Sequence, residues 1–368
     1  MISKIKIPRR HFVKVVLPGL ASLSTTLILG SCGTSNKNAT TLTSPATPIS
    51  NTINTTNPVS VNPTVIQTKV IRMGYQQAGD LVRVTGVLEK RLEPLGIKVE
   101  WAQFAQGPQL MEAMNVGKID IGSVGETPPI FAQAAGAQIV YLVGQKTTSE
   151  TGRGSVIAVP PESPIKTIAD IKGQKVVFQK ASASHYFILR ALEDVGLKYS
   201  DIQVLSMPTV ESRGAFIEGN IPVWVTGDPH LALAEKLGRV RILRDARGID
   251  SPGGYYVGRR QFAQENSELV RIVIEEIDKI EQWAEANPQE TAKLIAPEQK
   301  LELDVMQKVI DRRTFGRRAI SSELIAQQQK VADYFYRNGL LPKPLNVQEA
   351  MLTTEQYAAI TPATISQK

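Results

Sequence analysis

The chain has 368 residues, 42% of them hydrophobic and 21% charged, which fits a globular protein with room for two ordinary domains. Its formal net charge is +7, but five positive residues lie in the first fourteen positions, where no acidic residue occurs. Removing five charges from +7 leaves +2 for the rest of the chain. Because the sequence also has no basic stripe and no Cys/His zinc pattern, we expect no nucleic-acid partner and no binding to an anionic membrane surface.

The single cysteine, Cys32, excludes an intramolecular disulfide and a metal site built from cysteines. It follows a basic segment and the apolar run VVLPGLASLSTTLILG, which is too short and too rich in Ser and Thr for a transmembrane helix. Leu29-Gly30-Ser31-Cys32 resembles a bacterial lipobox, in which the cysteine is lipidated and becomes the mature N-terminus. We therefore expect an export signal over residues 1–31 and a lipid on Cys32.

The route of export has two interpretations. The stretch RRHFVK, residues 9–14, resembles the twin-arginine consensus, and the alternative is an ordinary Sec signal with two incidental arginines. Either route delivers the chain to the periplasmic side of a bacterial membrane as a lipoprotein.

Residues 32–68 are predicted to form a disordered tether. From residue 33 onward they are mostly Ser, Thr, Asn and Pro, with no acid and a single basic residue, Lys37. Such a segment cannot bury enough apolar area to offset the entropy lost on ordering. A coil of this length spans about 30–36 Å on average, which suits a spacer between a membrane and a folded domain.

From Val70 onward the sequence alternates between strand-like and helical runs. The first group reads VIRMGY, LVRVTGVLEKRLEP, IKVEWAQF, GPQLMEAMNVG, IDIGSV, PPIFAQAAGA and QIVYLVG. After a stretch with three prolines the pattern restarts at KVVFQ and continues to RVRILRDA. The chain beyond about Gly258 is predicted to be mostly helical, and Asn287-Pro288 is predicted to begin a helix. This β-α-β alternation predicts an α/β fold with mainly parallel sheets covered by helices.

A short internal repeat links the two groups. GKIDIGSVGET, from Gly117, aligns with GNIPVWVTGDP, from Gly219, so that Gly125-Glu126 corresponds to Gly227-Asp228. Each copy follows one predicted helix and precedes another. Two similar α/β lobes in one exported, tethered chain predict a clamp.

The segment GSVGETPPIF is the first candidate binding site. Ligands of parallel α/β sheets bind at the carboxyl ends of strands, where Gly125 and Glu126 are expected. Thr127 precedes Pro128 and is predicted to cap a helix, whose free N–H groups and positive dipole end attract an anion. Because the Glu126 carboxylate would repel an anionic ligand, we expect it to turn aside, stabilised by the helix dipole or by a partner in the other lobe. The alternative is that this segment only caps a helix.

The second candidate is KASASHY, residues 180–186, which follows a predicted strand and opens a helix. Ser182, Ala183 and Ser184 lie at the helix start, and His185 is expected to be a further donor to the ligand. The alternative is ordinary capping by serine with a packed histidine.

Two further residues are candidates for the same crevice. Gln76, like Gln77, follows the first predicted strand and offers a side-chain amide. Arg153 lies near the first crossing between the lobes, where it is either a solvated linker charge or a counter-charge for the ligand.

Residues 74–137 and 163–203, with the later motif LPKPLNV, resemble the aliphatic sulfonate-binding proteins of ABC importers. The resemblance implies a type II periplasmic binding protein, with two α/β lobes joined by two crossover strands and a ligand cleft between them. Lobe 1 would hold residues 70–155 and 255–368, and lobe 2 residues 156–254. The implied partners are a sulfonate-like anion, an ABC permease with its ATPase subunits, and the membrane through the lipid; a monomer is expected.

By the same resemblance, GETPP and the serine–histidine segment match the pocket positions of the family. The predicted ligand-binding set is Gln76, Gly125, Glu126, Thr127, Arg153, Ser182, Ala183, Ser184, His185, Gly227 and Asp228, with no catalytic residue, cofactor or metal.

The sequence also departs from the family pattern. Ala181 stands where a glycine is common, and Pro222, Gly227 and His230 stand where the family typically has an acid, a tryptophan and a tyrosine. Because an indole supplies a large apolar contact, its loss at Gly227 predicts a cavity that is larger, wetter or shaped for a different tail.

Alternatives remain open at this point. The same fold serves receptors for nitrate, bicarbonate or a pyrimidine precursor, and also sensors that present a ligand to a signalling partner. Some relatives on this fold are enzymes that act on sulfur oxyanions through a cysteine nucleophile. Here the single cysteine, Cys32, is expected at the lipidated terminus, and His185 has no evident nucleophile or carboxylate partner, so no enzyme is predicted.

Overall fold

The computed structural model describes residues 68–76 and 80–366. The predictions for the export signal, for lipidation of Cys32 and for all but the last residue of the tether fall outside this part of the chain, as does Gln77. Among the described residues, no helix combines the length and the apolar character needed to cross a membrane.

The strands form two separate sheets. Within the described residues, the first sheet has six strands in the order β11-β4-β10-β3-β1-β2, namely β1 (Val70–Gln76), β2 (Lys98–Phe104), β3 (Ile121–Val124), β4 (Ile139–Gln145), β10 (Tyr255–Arg259) and β11 (Arg317–Arg318). The second sheet, counted over the same residues, has five strands in the order β7-β6-β8-β5-β9, namely β5 (Ser155–Val159), β6 (Lys175–Phe178), β7 (Gln203–Ser206), β8 (Val223–Gly227) and β9 (Arg241–Asp245). We call the half built on the first sheet lobe 1 and the half built on the second sheet lobe 2.

Helices connect and cover these strands. They are α1 (Leu81–Thr85), α2 (Val87–Leu92), α3 (Gly107–Asn115), α4 (Thr127–Ala134), α5 (Ala183–Glu193), α6 (Thr209–Ile217), α7 (His230–Lys236), α8 (Arg260–Glu265), α9 (Ser267–Ala286), α10 (Pro288–Gln299), α11 (Leu303–Arg312), α12 (Ser322–Arg337), α13 (Thr354–Ile360) and α14 (Ala363–Ser366). Short 3₁₀ turns cover Glu93–Leu95, Ala169–Ile171, Tyr199–Asp201 and Val347–Ala350. The predicted helical C-terminal region and the start of a helix at Pro288 are confirmed.

Both sheets are mixed rather than purely parallel. Strand β1 runs parallel to β2 and β3, and β6 runs parallel to β7 and β8. The antiparallel members are β10, between β3 and β4, and β11, beside β4, in the first sheet, and β5, between β8 and β9, in the second. The two predicted α/β lobes are present.

Each sheet is buried on both faces. In β4, Val140 and Leu142 join one apolar cluster, and the alternating residues Ile139 and Tyr141 join another. Strand β5 behaves in the same way. Because successive side chains of a strand point to opposite faces, helices must cover both sides of each sheet.

The two lobes are joined by two crossings of the chain, residues 146–154 and 246–254. They run side by side: Gln145 N–H donates to the Gly254 carbonyl at 2.7 Å, and Gly254 N–H donates to Gln145 Oε1 at 3.1 Å. A ligand cleft between the lobes therefore has these two segments as its base.

The internal repeat corresponds to equivalent positions in the two sheets. Strand β3 lies between parallel β1 and antiparallel β10, and β8 lies between parallel β6 and antiparallel β5. Gly125-Glu126 and Gly227-Asp228 thus stand at the carboxyl ends of matching strands, one on each side of the cleft.

Candidate functional site

A cavity of about 660 Å³ lies between the lobes. Lobe 1 contributes Gln76, Gly125 and Glu126 to its lining, and lobe 2 contributes Gly227 and Asp228. A smaller cavity of about 160 Å³ adjoins it and is lined in part by Ser182, Ser184, Thr209 and His230. Both cavities share several lining residues, namely Gln76, Gly125, Ser155, Ala183, Gly227 and Asp228.

The two predicted helix starts meet across this cleft. A Cβ atom added to Gly125 would lie 3.1 Å from the Ala183 Cβ. Gly125 precedes α4 of lobe 1, and Ala183 is the first residue of α5 of lobe 2. A larger residue at position 125 would push the lobes apart, so this glycine permits their close approach.

The prediction that Thr127 caps α4 is wrong. Glu126 occupies the N-cap position, and Thr127 is the first helical residue. Thr127 is fully buried, and its hydroxyl donates to Glu126 Oε1 at 3.0 Å. The prolines that follow still serve the helix start, because Pro128 packs against Gly107, where a Cβ would lie 2.4 Å from the Pro128 Cγ.

Glu126 lines the larger cavity but is only 5% exposed. Burial raises the pKa of its carboxyl, and hydrogen bonds from its own N–H and from Thr127 oppose that rise. Its carbonyl accepts a hydrogen bond from Gln328 Nε2 at 2.6 Å. These partners belong to lobe 1, so the expected partner from the other lobe is not among the contacts of the described residues.

Ser182 is the N-cap of α5, and its hydroxyl donates to the Gln179 carbonyl at 2.7 Å. Ala181, directly before it, has a left-handed backbone with φ of 59°. Glycine adopts this conformation without the steric cost that a Cβ imposes. Position 181 is also where the family that the sequence resembles commonly has a glycine.

His185, predicted as a donor to the ligand, does not reach the cleft. The side chain is 2% exposed, lines neither cavity, and lies among the rings of Phe178, Phe335 and Tyr199 at centroid distances of 5.1–5.5 Å. Ala181 N–H donates to its Nδ1 at 3.2 Å. Burial lowers the pKa of His185 to about 3, with a smaller contribution from Lys180. The packed-histidine alternative is therefore the one the structure supports.

Arg153 is not a counter-charge in the cleft. It lines neither cavity, its side chain is 48% exposed, and it pairs with Glu150 at 3.7 Å. Of the two interpretations of this residue, the structure supports the solvated linker charge.

Sequence reasoning missed the arginines that line the cleft. Arg312, Arg313 and Arg317 come from the end of α11 and the segment after it. Arg317 is buried against Glu281, and its guanidinium lies over the Tyr256 ring at 4.6 Å. The available signal was RRTFGRR, residues 312–318, with four arginines in seven positions.

Gly227 and Asp228 form the lobe 2 wall of the cleft, as the repeat suggested. A Cβ on Gly227 would meet only the Gly154 carbonyl at 3.4 Å and the Ser155 hydroxyl at 3.6 Å, which leaves space for a side chain. Asp228 Oδ1 accepts from Ala232 N–H at 3.1 Å and so anchors the first turn of α7. Burial raises the pKa of Asp228 to about 6, against the opposing attraction of the Arg312 guanidinium.

Three buried polar atoms of residues that line the cleft have no hydrogen-bond partner among the described residues. They are the Tyr255 hydroxyl and Arg317 Nε, both donors, and Asp228 Oδ2, an acceptor. The chain forms two lobes joined by two crossings, with a partly polar cleft between them and a helix start on each wall of the cleft. This architecture is that of a periplasmic solute-binding protein.

Comparison with known proteins identifies the family. A family model described as NMT1/THI5 like matches residues 93–291, more than half of the chain. An aliphatic sulfonates-binding protein of Escherichia coli (strain K12) is 38% identical over 285 residues, covering 76% of this chain and 88% of that protein. The chain belongs to the NMT1/THI5-like family and, within it, to the aliphatic sulfonate-binding periplasmic proteins.

Solved structures agree with this assignment. The alkanesulfonate-binding protein SsuA from Xanthomonas axonopodis pv. citri, bound to MOPS, has a TM-score of 0.74 at 33% identity, covering 78% of this chain and 99% of that chain. The periplasmic aliphatic sulphonate-binding protein SsuA from Escherichia coli has a TM-score of 0.70 at 36% identity, covering 79% of this chain and 100% of that chain. The family is one of binding proteins, so the prediction that the chain is not an enzyme is confirmed.

The buried neutral His185 should make the protein acid-sensitive. Its pKa is about 3 in the folded state and 6.5 for an unperturbed histidine, so its contribution to stability is fully present above pH 6.5 and is lost as the pH falls toward 3. We expect a loss of about 2 kcal/mol by about pH 5. His185→Asn keeps an acceptor for Ala181 N–H and cannot titrate, so the variant should lose less stability than the wild type over this interval. Denaturant titrations at several pH values measure this difference, and equal pH slopes would refute the assignment.

Ala181→Gly should stabilise the fold. Relief of the left-handed strain gains about 1–2 kcal/mol, and the added chain entropy costs about 0.5–1 kcal/mol. We expect the free energy of unfolding to rise by up to about 1 kcal/mol in urea titrations. Lys300, with φ of 54°, is an independent left-handed position, and Lys300→Gly should shift stability in the same direction. A decrease at position 181 alone would mean that the Ala181 methyl group makes a contact worth more than the strain.

Proposed function

We propose that this protein is the substrate-binding component of an ABC importer and captures an aliphatic sulfonate or a related small organic anion. The observation that carries the proposal is the meeting of the α4 and α5 N-termini across the cleft, at Gly125 and Ala183. Membership of the sulfonate-binding family supports the same ligand class.

A sulfonate suits this geometry. It stays charged at physiological pH and offers three acceptor oxygens, so a site needs donors and a favourable dipole rather than a full balancing cation. The first turn of α5 leaves N–H groups without an intrahelical partner. In α4 the second and third positions are prolines, which have no N–H, so that helix offers chiefly the Thr127 N–H. We propose that these groups of α4 and α5 hold the sulfonate, with the Gln76 amide, Ser182 and Ser184 at the rim of the same space.

The tail of the ligand would extend into the larger cavity. A volume of about 660 Å³ exceeds the needs of a two-carbon alkyl chain and falls in the range of sites for drug-sized ligands. Gly227 leaves open the space that a tryptophan would fill in the sequences it resembles. Of the interpretations of Gly227, we therefore favour a larger cavity over one that differs only in its water content.

The remaining parts of the proposal concern the whole chain. Residues 70–155 and 255–368 would move as lobe 1 and residues 156–254 as lobe 2, closing on the ligand and presenting both lobes to a permease with its ATPase subunits. Cys32 would carry the lipid, and residues 32–68 would tether a monomeric receptor on the periplasmic side of the membrane. Export would follow the twin-arginine or the Sec route.

Calorimetry on the purified domain tests the ligand class. We expect saturable binding of linear and cyclic alkanesulfonates, and no binding of nitrate, bicarbonate or orotate. Gly125→Leu should abolish binding, because its side chain would collide with Ala183, while leaving the fold of each lobe intact. A heat signal with nitrate and none with any sulfonate would show that the protein binds a different solute class.

Fractionation of the full chain expressed in a bacterium tests the anchor. We expect the wild type in the membrane fraction and Cys32→Ala in the soluble periplasmic fraction, since the variant has no thiol to carry a lipid. Ser31→Ala serves as a control, because it changes the neighbouring residue and keeps the cysteine. Membrane retention of Cys32→Ala would exclude lipidation at Cys32 as the anchor.

A further inference from the structure

An acidic side chain stands in the wall of a cleft proposed to hold an anion. Asp228 lines both cavities, and its side chain is 10% exposed. Oδ1 is engaged by Ala232 N–H, and Oδ2 has no hydrogen-bond partner among the described residues. A bare carboxylate at this place would repel a sulfonate and attract a cationic group.

Arg312 opposes this charge from the other lobe. It is the last residue of α11, and its side chain is 15% exposed. One guanidinium nitrogen contacts Asp228 Oδ1 at 3.4 Å, and another contacts the two Glu235 carboxylate oxygens at 2.8 and 2.6 Å. Because both side chains are mostly buried, water and salt screen their attraction less than they screen a surface ion pair.

The chain crossing holds the pair in place. A Cβ on Gly154 would lie 2.7 Å from Asp228 Oδ2 and 3.6 Å from the Arg312 Cβ. In addition, Asp228 N–H donates to the Gly154 carbonyl at 3.0 Å. The glycine thus lets both side chains close over the crossing beside the cleft.

Other acids at the cleft do not depend on Arg312. Glu126 is buried in lobe 1 and bonded by Thr127, and Asp250 is 57% exposed and pairs with Lys330 at 3.5 Å. Arg317 is engaged by Glu281. Among the acids that line the larger cavity, Asp228 is therefore the one whose effective charge Arg312 sets.

We infer that Arg312 is a specificity-determining residue: placed beside Asp228, it offsets part of the charge of that carboxylate, so that the cleft favours sulfonates with uncharged tails over those with an ammonium tail. This inference rests on the proposed sulfonate function.

The test compares two ligands of equal size, propane-1-sulfonate and 2-aminoethanesulfonate, which differ by a methyl group in place of an ammonium group. Calorimetric titrations are run at about pH 8, above the value of about 6 to which burial raises the pKa of Asp228 beside Arg312. We expect the wild type to bind propane-1-sulfonate about tenfold or more tightly than the amine, and Arg312→Gln to reduce this ratio about tenfold or reverse it.

Two further variants complete the test: one is a matched control, and the other tests the same pair if Arg312→Gln does not fold. Lys236→Gln removes a charge that crosses the same interface to Glu302 and Asp304 but lines neither cavity, so its ratio should equal that of the wild type. Asp228→Asn removes the acid and keeps Arg312, so it should widen the ratio even if Arg312→Gln proves too unstable to titrate.

The outcomes separate the two claims. A ratio unchanged in Arg312→Gln, or in Asp228→Asn if only that variant is folded, overturns the role of Arg312 and leaves the sulfonate function standing. An equal shift in Lys236→Gln also overturns it, because general loss of positive charge would then explain the effect. Failure of the wild type to bind any sulfonate overturns the proposed function and this inference together.

Discussion

The near-contact of two helix N-termini across the cleft is the constraint on which the arrangement of the lobes depends. Each N-terminus carries the equivalent of roughly half a positive charge. Bringing α4 and α5 together at Gly125 and Ala183 therefore sets two like partial charges against each other. An anion between them turns this repulsion into two attractions, so closure of the lobes and capture of an anion are linked by the same electrostatics.

Apolar packing behind the helix starts supports this approach. Phe131 of α4 stacks on His185 of α5 at a centroid distance of 6.2 Å, and Tyr334 of α12 donates to the Leu189 carbonyl at 3.2 Å. Tyr186 and Leu189 of α5 belong to a lobe 1 cluster. On the other side of the cleft, α7 and α11 meet through ion pairs, among them Lys236 with Asp304 at 3.0 Å. One side of the cleft is thus held by aromatic contacts, and the other by charges that water and salt weaken.

The alternation of strands and helices was readable from the sequence because it depends on local period and on turn residues. The repeat of Gly125-Glu126 at Gly227-Asp228 also placed two facing segments at equivalent strand ends, because chain topology fixes where a strand ends. What the sequence could not supply was the orientation of single side chains. Thr127 turns inward to Glu126, and His185 enters an aromatic cluster completed by Phe335, which lies 150 residues further along the chain.

The arginines that line the cleft were not predicted from the sequence, for a related reason. RRTFGRR looks like part of a charged helical surface when it is read as a local segment. Its role depends on Asp228, Glu235 and Glu281, which come from distant positions and are brought to it only by the packing of α7, α9 and α11. Tertiary pairing of this kind leaves no periodic signal in a single sequence.

Gly227 gives the protein an easy route to new ligands. It ends β8 in the middle of a sheet, faces both cavities, and has no neighbour closer than 3.4 Å to the position of a Cβ atom. A side chain can be added there without a close contact to the backbone, and the helix starts proposed to hold the anionic head group belong to other segments. Selection acting on this one codon can therefore change which tails are taken up, while the recognition of the charge that all these ligands share stays intact.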